Sequence, residues 1–242
     1  MIIDALNLDT IKLNKLIDES NDNNILIKNA LGQRYIASGK ENLNINIEGI
    51  PGNALGAYLD GARIEVFGNS SDALGDTMND GEIIIHGNAG DTVGYAMRGG
   101  KIYIRGNAGY RCGIHMKAYM DKFPIIIVGG AAGSFLGEYQ AGGIIIVLGL
   151  DNNRYKDDKL IGNFASTGMY GGKLFVRTEK NEDFPQSVNV KKALKADLDE
   201  IKEYLKEYAD IFKLDLDEIL NHEFKVVTPN HDKKPKTSYV AN

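Results

Sequence analysis

The sequence predicts an all-β solenoid: a right-handed parallel β-helix of about six to seven coils, with a small α/β N-terminal cap and a helical C-terminal extension. Three observations lead there. Glycines recur as G-x-x-G-x-x-x-G, most often 19 residues apart. A strand-length, β-branched stretch precedes each triplet. The unit is also too short for a strand–helix–strand crossover, which takes about 30 residues.

The triplets are Gly49, Gly52 and Gly56; Gly87, Gly90 and Gly94; Gly106, Gly109 and Gly113; and Gly130, Gly133 and Gly137. A degenerate copy has Gly68, Ser71 and Gly75. A five-residue insertion near Ala118–Lys122 lengthens one step to 24, and a ten-residue insertion puts Gly162 and Ser166 in the last copy's second and third slots. The apolar stretches include Ile64-Glu-Val66, Ile83-Ile-Ile85, Ile102-Tyr-Ile104, Ile125–Val128, Ile144–Val147 and Leu174-Phe-Val176, read as alternating strands. Leu55, Leu74, Val93, Cys112 and Leu136 precede the third glycine, so that slot reads as interior. One unit cannot bury its apolar face alone, but stacked units can. Glycine suits the sharp turns because it takes positive φ at little steric cost. Asn69, Asn88 and Asn107 follow the first glycine and are expected to stack as a turn ladder.

The ends depart from the repeat, as an open edge requires. Asp9 is placed to cap a helix over Thr10–Ser20 with Ile11, Leu13, Leu16 and Ile17 on one face. Ile25-Leu-Ile27 and Tyr35-Ile36 read as a strand pair. Val190–Tyr208 reads as an amphipathic helix on Leu194, Leu198, Ile201, Leu205 and Tyr208, a second short helix follows at Asp215–Asn221, and the tail from Thr228 reads as extended. The expected organisation is therefore residues 1–42 as cap, 43–178 as β-helix and 179–242 as helical extension and tail.

Composition narrows the function classes. The net charge of −5 argues against general nucleic-acid binding, which needs a basic surface. One cysteine permits no internal disulfide and fits a reducing cytoplasm. The start, Met1-Ile2-Ile3-Asp4-Ala5, is not a signal peptide, and no apolar run is long enough to span a bilayer. A cytoplasmic protein with no membrane partner is expected.

The search for chemistry yields no catalytic, cofactor-binding or metal-ligating residue. Gly130-Ala-Ala-Gly133-Ser-Phe-Leu-Gly137 lacks the Gly-Lys-Ser/Thr of a phosphate loop, and its spacing is shared by the other copies. Cys112 beside His115 suggests a nucleophile, but its slot is apolar in the other copies, so a buried thiol is expected. His86 shares its slot with Glu48, Phe67 and Arg105, a tolerant surface position. Tyr110–Lys117 lies beside the first insertion and is either a solvated loop or a docking surface. Arg111, His115 and Lys117 are the candidate partner contacts, because only in this copy do two basic groups and a histidine gather next to an insertion.

The repeat, with its Met-x-x-Gly-Gly endings, resembles the C-terminal β-helix domain of glutamate synthase's large chain. This GXGXG-repeat domain is also seen in the β-helix chain of formylmethanofuran dehydrogenase. The resemblance rests on Gly49-Ile-Pro-Gly-Asn-Ala-Leu-Gly56, Met78-Asn-Asp-Gly81, His86-Gly-Asn-Ala-Gly90, Ala96-Met-Arg-Gly-Gly100, Gly106-Asn-Ala-Gly-Tyr-Arg111 and Leu136-Gly-Glu-Tyr-Gln-Ala-Gly-Gly143, and it covers roughly residues 1–180. It implies a stand-alone, non-catalytic subunit that positions amidotransferase and FMN-dependent synthase chains for ammonia transfer to 2-oxoglutarate. The FMN and iron–sulfur cluster are then expected on a partner chain and no cofactor on this one. Homo-oligomerisation is compatible with it. Two similar complexes compete: an N-methylglutamate-synthase-like one and formylmethanofuran dehydrogenase. A free-standing carbohydrate-binding solenoid ranks last, for want of a carboxylate cluster along a groove.

Overall fold

The computed structural model describes residues 1–150 and 159–232. The elements run β1 (Ile2–Asp4), α1 (Thr10–Asp18), β2 (Asn24–Leu31), β3 (Asn44–Ile50), β4 (Asp60–Val66), β5 (Asp80–Ile85), β6 (Lys101–Ile104), β7 (Ile125–Val128), β8 (Ala141–Val147), β9 (Gly171–Arg177), β10 (Val188–Lys192), α2 (Lys195–Phe212), α3 (Leu216–Leu220) and β11 (Phe224–Pro229). Among the described residues all the strands belong to one eleven-stranded sheet, ordered β1-β2-β3-β4-β5-β6-β7-β8-β9-β11-β10. β1 to β9 are parallel in sequence order, and β11 inserts antiparallel between β9 and β10.

The expected right-handed parallel β-helix of six to seven coils is corrected by this topology. The fold is a single open, mostly parallel sheet, and β1, β2, β10 and β11 extend it at both ends, so its ends are not a separate cap and extension. The physical reason is that each unit gives the hydrogen-bonded ladder only one strand. The rest of the unit is turn. Register follows the repeat: Ile83 pairs with Ile102, Ile102 with Ile126 and Ile126 with Ile145.

The turns stack as the strands do. Gly56 donates its N–H to the carbonyl of Ile36 at 2.9 Å, Gly75 to Leu55 at 2.9 Å, Gly94 to Leu74 at 2.7 Å, Gly113 to Val93 at 2.8 Å and Gly137 to Cys112 at 2.8 Å. The asparagines add a side-chain ladder: Asn69 Oδ1 accepts from the Asn88 N–H, Asn88 from Asn107, and Asn107 from Ala131, each at 2.8 Å. The glycines do two different jobs. Gly113, in the third slot, has φ +70°, whereas Gly109, in the second, has ordinary φ but leaves no room for a Cβ, which would stand 2.6 Å from the Gly90 carbonyl oxygen.

The repeat also begins one unit earlier than its glycines. Ala30 pairs with Gly49, Gly52 bonds Gln33, and Ala37, at φ +58°, occupies the Gly56 slot. Tyr35-Ile36 is therefore turn and not strand, with Ile36 buried in the Leu55 slot.

Two cores lie on opposite faces of the sheet. Ile83, Ile85, Ile102, Ile104, Ile126, Val128, Ile145 and Val147 face one core with Leu55, Leu74, Val93, Cys112 and Leu136. Ile84, Tyr103, Ile127, Ile146 and Phe175 face the other, which α2 and α3 cover with Ile201, Leu205, Tyr208, Ala209 and Ile219. Burial on both faces is why β7 reads Ile-Ile-Ile-Val where β3 alternates as Asn-Ile-Asn-Ile. Each large side chain on the buried stripe of α2 contributes roughly 2 kcal/mol.

The helices differ in extent from their sequence reading. Asp9 caps α1 by accepting from the Lys12 N–H at 2.8 Å, but Ile11 and Leu16 are exposed, so Leu13 and Ile17 alone form the packed stripe. α2 starts at Lys195, because Val188–Lys192 is consumed by pairing with β11. Thr228 and Pro229 close β11 and are not tail. The segment holding most of the ten-residue insertion (151–158) and the tail beyond Asp232 lie outside the described residues. Among the described residues no helix is long and apolar enough to cross a membrane.

Candidate functional site

Arg111 and His115 sit on the turn after β6, both with left-handed backbone, φ 56°. In this turn two further left-handed stations flank the third-slot residue in each unit from Ala54 onward. The first is occupied by Ala54, Ala73, Thr92, Arg111, Phe135 and Phe164, and the second by Tyr58, Thr77, Ala96, His115, Tyr139 and Gly168. Backbone bonds hold the stations in register: Arg111 N–H to the Ser134 carbonyl, Phe135 to Asn163, His115 to Glu138 and Tyr139 to Thr167, all between 2.8 and 2.9 Å.

Side chains at these stations stack into two columns. In the first, the Arg111 guanidinium lies 5.0 Å from the Phe135 ring centroid, and Phe135 stacks on Phe164 at 5.2 Å with 24° between planes. In the second, His115 stacks on Tyr139 at 5.1 Å and 10°, with Tyr95 edge-on to His115 at 5.9 Å. Glu138 ties the columns, its carboxylate 3.5 Å from Arg111 Nε. Phe164 is 61% exposed and Tyr139 41%. The sequence reading named Arg111 and His115 but missed Phe135, Tyr139 and Phe164. Their signal was present: they occupy the same slots one and two units on.

Lys117 does not join these columns. It stands at the corner beside the insertion, where its N–H bonds the Met97 carbonyl. The insertion folds over the preceding units: Lys122 Nζ reaches Asp60 at 2.6 Å and Asp80 at 3.6 Å, and Tyr119 receives the Arg98 guanidinium at 5.9 Å.

Cys112 is fully buried in the interior slot, and burial pushes its thiol up to about 12. Such a thiol is no nucleophile at neutral pH. Its position also bears on the iron–sulfur expectation: one buried cysteine does not fit a cluster, which takes several thiolates. Among the described residues no group of three or more His, Cys, Asp or Glu is placed to hold a metal ion.

A polar network lines the edge of α2. Lys101 Nζ donates to both Glu207 carboxylate oxygens (2.6 and 2.8 Å), and the Tyr103 hydroxyl donates to Glu207 at 3.0 Å. Glu82 pairs with Arg63 Nε at 2.9 Å and feels the like charge of Glu207. Burial, then Glu207, raises the Glu82 carboxyl, while Lys101 and Tyr103 outweigh burial and hold Glu207 low. His86 is no indifferent surface position: it bonds Glu65 at 2.8 Å, stacks on Phe67 and meets the edge of Phe212. The network anchors the helix to the sheet.

Glycines at fixed stations of one mostly parallel sheet, with ringed turns along its side, define a glycine-repeat protein. The family model for the GXGXG motif matches residues 10–233, and the chain belongs to that family. It is similar to an uncharacterised protein of Methanocaldococcus jannaschii, 45% identical over 240 residues, spanning 95% of this chain and 92% of the relative. Its fold is similar to that of a chain in the crystal structure of the formyltransferase/hydrolase complex of Methylorubrum extorquens with methylofuran. The TM-score is 0.64 at 17% identity, covering 95% of this chain and 96% of that one.

Proposed function

We propose that this chain is a non-catalytic subunit of a formylmethanofuran-related, formyl-transferring complex, holding catalytic chains in position. The observation that carries this reading is the fold likeness along nearly the whole of both chains to a component of such a complex. The buried, poorly acidic thiol of Cys112 supports the non-catalytic part. The glutamate-synthase-type reading shares the repeat and stands as the alternative. Under that reading the partners would be amidotransferase and FMN-dependent synthase chains.

The test is pull-down from the source cells with the tagged full chain at native expression level, followed by assay of the captured assembly. Formyl transfer or formylmethanofuran-type oxidation in the capture, and none by the isolated chain, is the expected outcome. Glutamine-dependent glutamate formation in the capture would replace this reading with the synthase one, and turnover by the isolated chain would end both.

A further inference from the structure

We propose that Gln140 and Ser166 hold a single buried water molecule between them, a polar binding site built into the core that contains Leu136 and Met169. The inference goes beyond the proposed function and stands independently of it.

Both residues break the repeat. Three positions after the third slot stand Leu59, Met78, Met97, Met116 and Met169, all buried. Gln140 takes the same place in its own unit and is fully buried. Ser166 occupies a third slot that is glycine at Gly56, Gly75, Gly94, Gly113 and Gly137, and it is fully buried too. Its φ of 58° is one that glycine adopts with less strain. Each side chain carries a polar atom without a hydrogen-bond partner, Oε1 of Gln140 and Oγ of Ser166. Such atoms are costly in an apolar interior, and folded proteins keep few of them. Turning the amide round does not cure this. Gln140 Nε2 faces the carbonyls of Gly142 at 3.1 Å, Gly143 at 3.1 Å and Lys173 at 3.4 Å. Only the donor end of an amide can face carbonyl oxygens. Oε1 is therefore fixed as the end that lacks a partner.

Packing brings the two atoms to one place and sets its size. In the preceding units a Cβ on the third glycine would strike the isoleucine two strands on: Gly56 meets Ile83 Cδ1 at 2.7 Å, Gly75 meets Ile102 at 2.6 Å, Gly94 meets Ile126 at 2.6 Å and Gly113 meets Ile145 at 2.4 Å. In each of those units a methyl fills the space beside the glycine. Two strands on from Gly137 the residue is Leu174, and the pattern stops. The nearest atom to that point is now Gln140 Oε1 at 3.1 Å, followed by Ile145 Cδ1 at 3.5 Å and Gln140 Cβ at 4.0 Å. These contacts run forward along the stack. The next residue forward in the glycine column is Ser166, whose N–H bonds the Leu136 carbonyl at 2.7 Å. The space given up by one methyl suits a ligand the size of water, whose share of liquid volume is about 30 Å³. Water donates to Gln140 Oε1 and bonds the Ser166 hydroxyl, the two partners that a buried water needs at the least. An ion does not suit the site, since both residues are neutral and a buried charge needs a charged partner.

The test is a high-resolution crystal structure of the full wild-type chain, with melting curves of wild type and Ser166→Ala. Ordered water density within hydrogen-bond distance of both Gln140 Oε1 and Ser166 Oγ is the expected result. Alanine keeps the Cβ of Ser166 and removes only the hydroxyl. If that hydroxyl holds a water, its loss breaks a bond and lowers the melting temperature by roughly 2–4 °C. If it is an orphan, its removal relieves an unpaid desolvation and the melting temperature rises. Oxygen-17 relaxation dispersion counts long-lived internal waters in solution, and wild type should hold one more than the variant. A wild-type structure without that density overturns the site. So does one in which the two side-chain oxygens bond each other directly. A melting temperature that stays level or rises in Ser166→Ala also overturns it. Should the variant fail to fold, the wild-type density alone decides.

Discussion

The hydroxyl of Tyr208, on α2, donates to the carbonyl of Ile104, on β6, at 3.0 Å across 104 residues of sequence. The same carbonyl accepts from the Gly129 N–H at 2.8 Å, so it keeps a partner if Tyr208 is lost. Tyr208→Phe should therefore cost only about 1 kcal/mol, lowering the melting temperature by roughly 2–4 °C. Gly129→Ala should cost several times more. Its Cβ would stand 2.2 Å from the Tyr208 hydroxyl and 2.3 Å from the Arg105 carbonyl oxygen, so the helix and the β6 edge cannot both stay. Chemical denaturation of the two variants checks the order.

The two jobs of glycine give a second expectation. At Gly32, φ is +79° with open space around the missing side chain. Alanine there should cost about 1–2 kcal/mol, the left-handed penalty alone. At Gly109, alanine should cost at least about twice that, because its Cβ would collide with the Gly90 carbonyl and the Asp91 carboxylate. A larger loss at Gly32 would mean that turn conformation, and not repeat spacing, selects glycine at these slots.

Cys112 should react with a thiol reagent slowly in the native protein and rapidly once denatured, because burial both shields the thiol and raises it to about 12. Cys112→Val should fold and cost under about 1.5 kcal/mol. Restored complex activity with this variant is the expected outcome of reconstitution, and lost activity in a well-folded protein would give the thiol a chemical task.

The α2 network predicts opposite pH responses for two carboxylates. Glu82 is raised above its ordinary 4.5, so the stability it contributes is complete below that value and is lost as pH rises through the raised one. Glu82→Gln should thus raise the melting temperature slightly at pH 7, roughly 2 °C, and leave it unchanged near pH 4. Glu207 is lowered, so its contribution is present above 4.5 and fades as pH falls through the lowered value. Lys101→Met should destabilise at pH 7 and lose most of its effect in acid. Melting curves from pH 3 to 8 separate the two.

What was legible in the sequence was local. The strands Ile83–Ile85 and Ile102–Ile104 announced themselves because spacing alone sets their register. Ala30, Gln33 and Ala37 did not, since none of the three repeat slots holds a glycine in a unit whose backbone still takes the same turn. Nor did β10 and β11: Val188-Asn-Val-Lys-Lys alternates weakly, and its partner lies beyond two helices. The two-sided burial of β7 was written in its unbroken apolar run, which reads as alternation only if one face is assumed wet. The ringed ridge was half legible. Arg111 and His115 stood out as an arginine and a histidine near an insertion, but Phe135 and Phe164 look like core residues until the turn is seen to face outward.

The insertion of β11 between β9 and β10 has a consequence for biosynthesis. From β1 to β9 each strand finds its neighbour among residues made just before it, so the sheet can grow as the chain leaves the ribosome. β9 is different. Its free edge is covered by a strand about fifty residues downstream, and until that segment has emerged the nascent protein shows an apolar, unpaired border. The helices made in the interval settle over the sheet face but leave that border bare. A pause in translation between β9 and β11 is therefore the moment at which this chain most needs a chaperone.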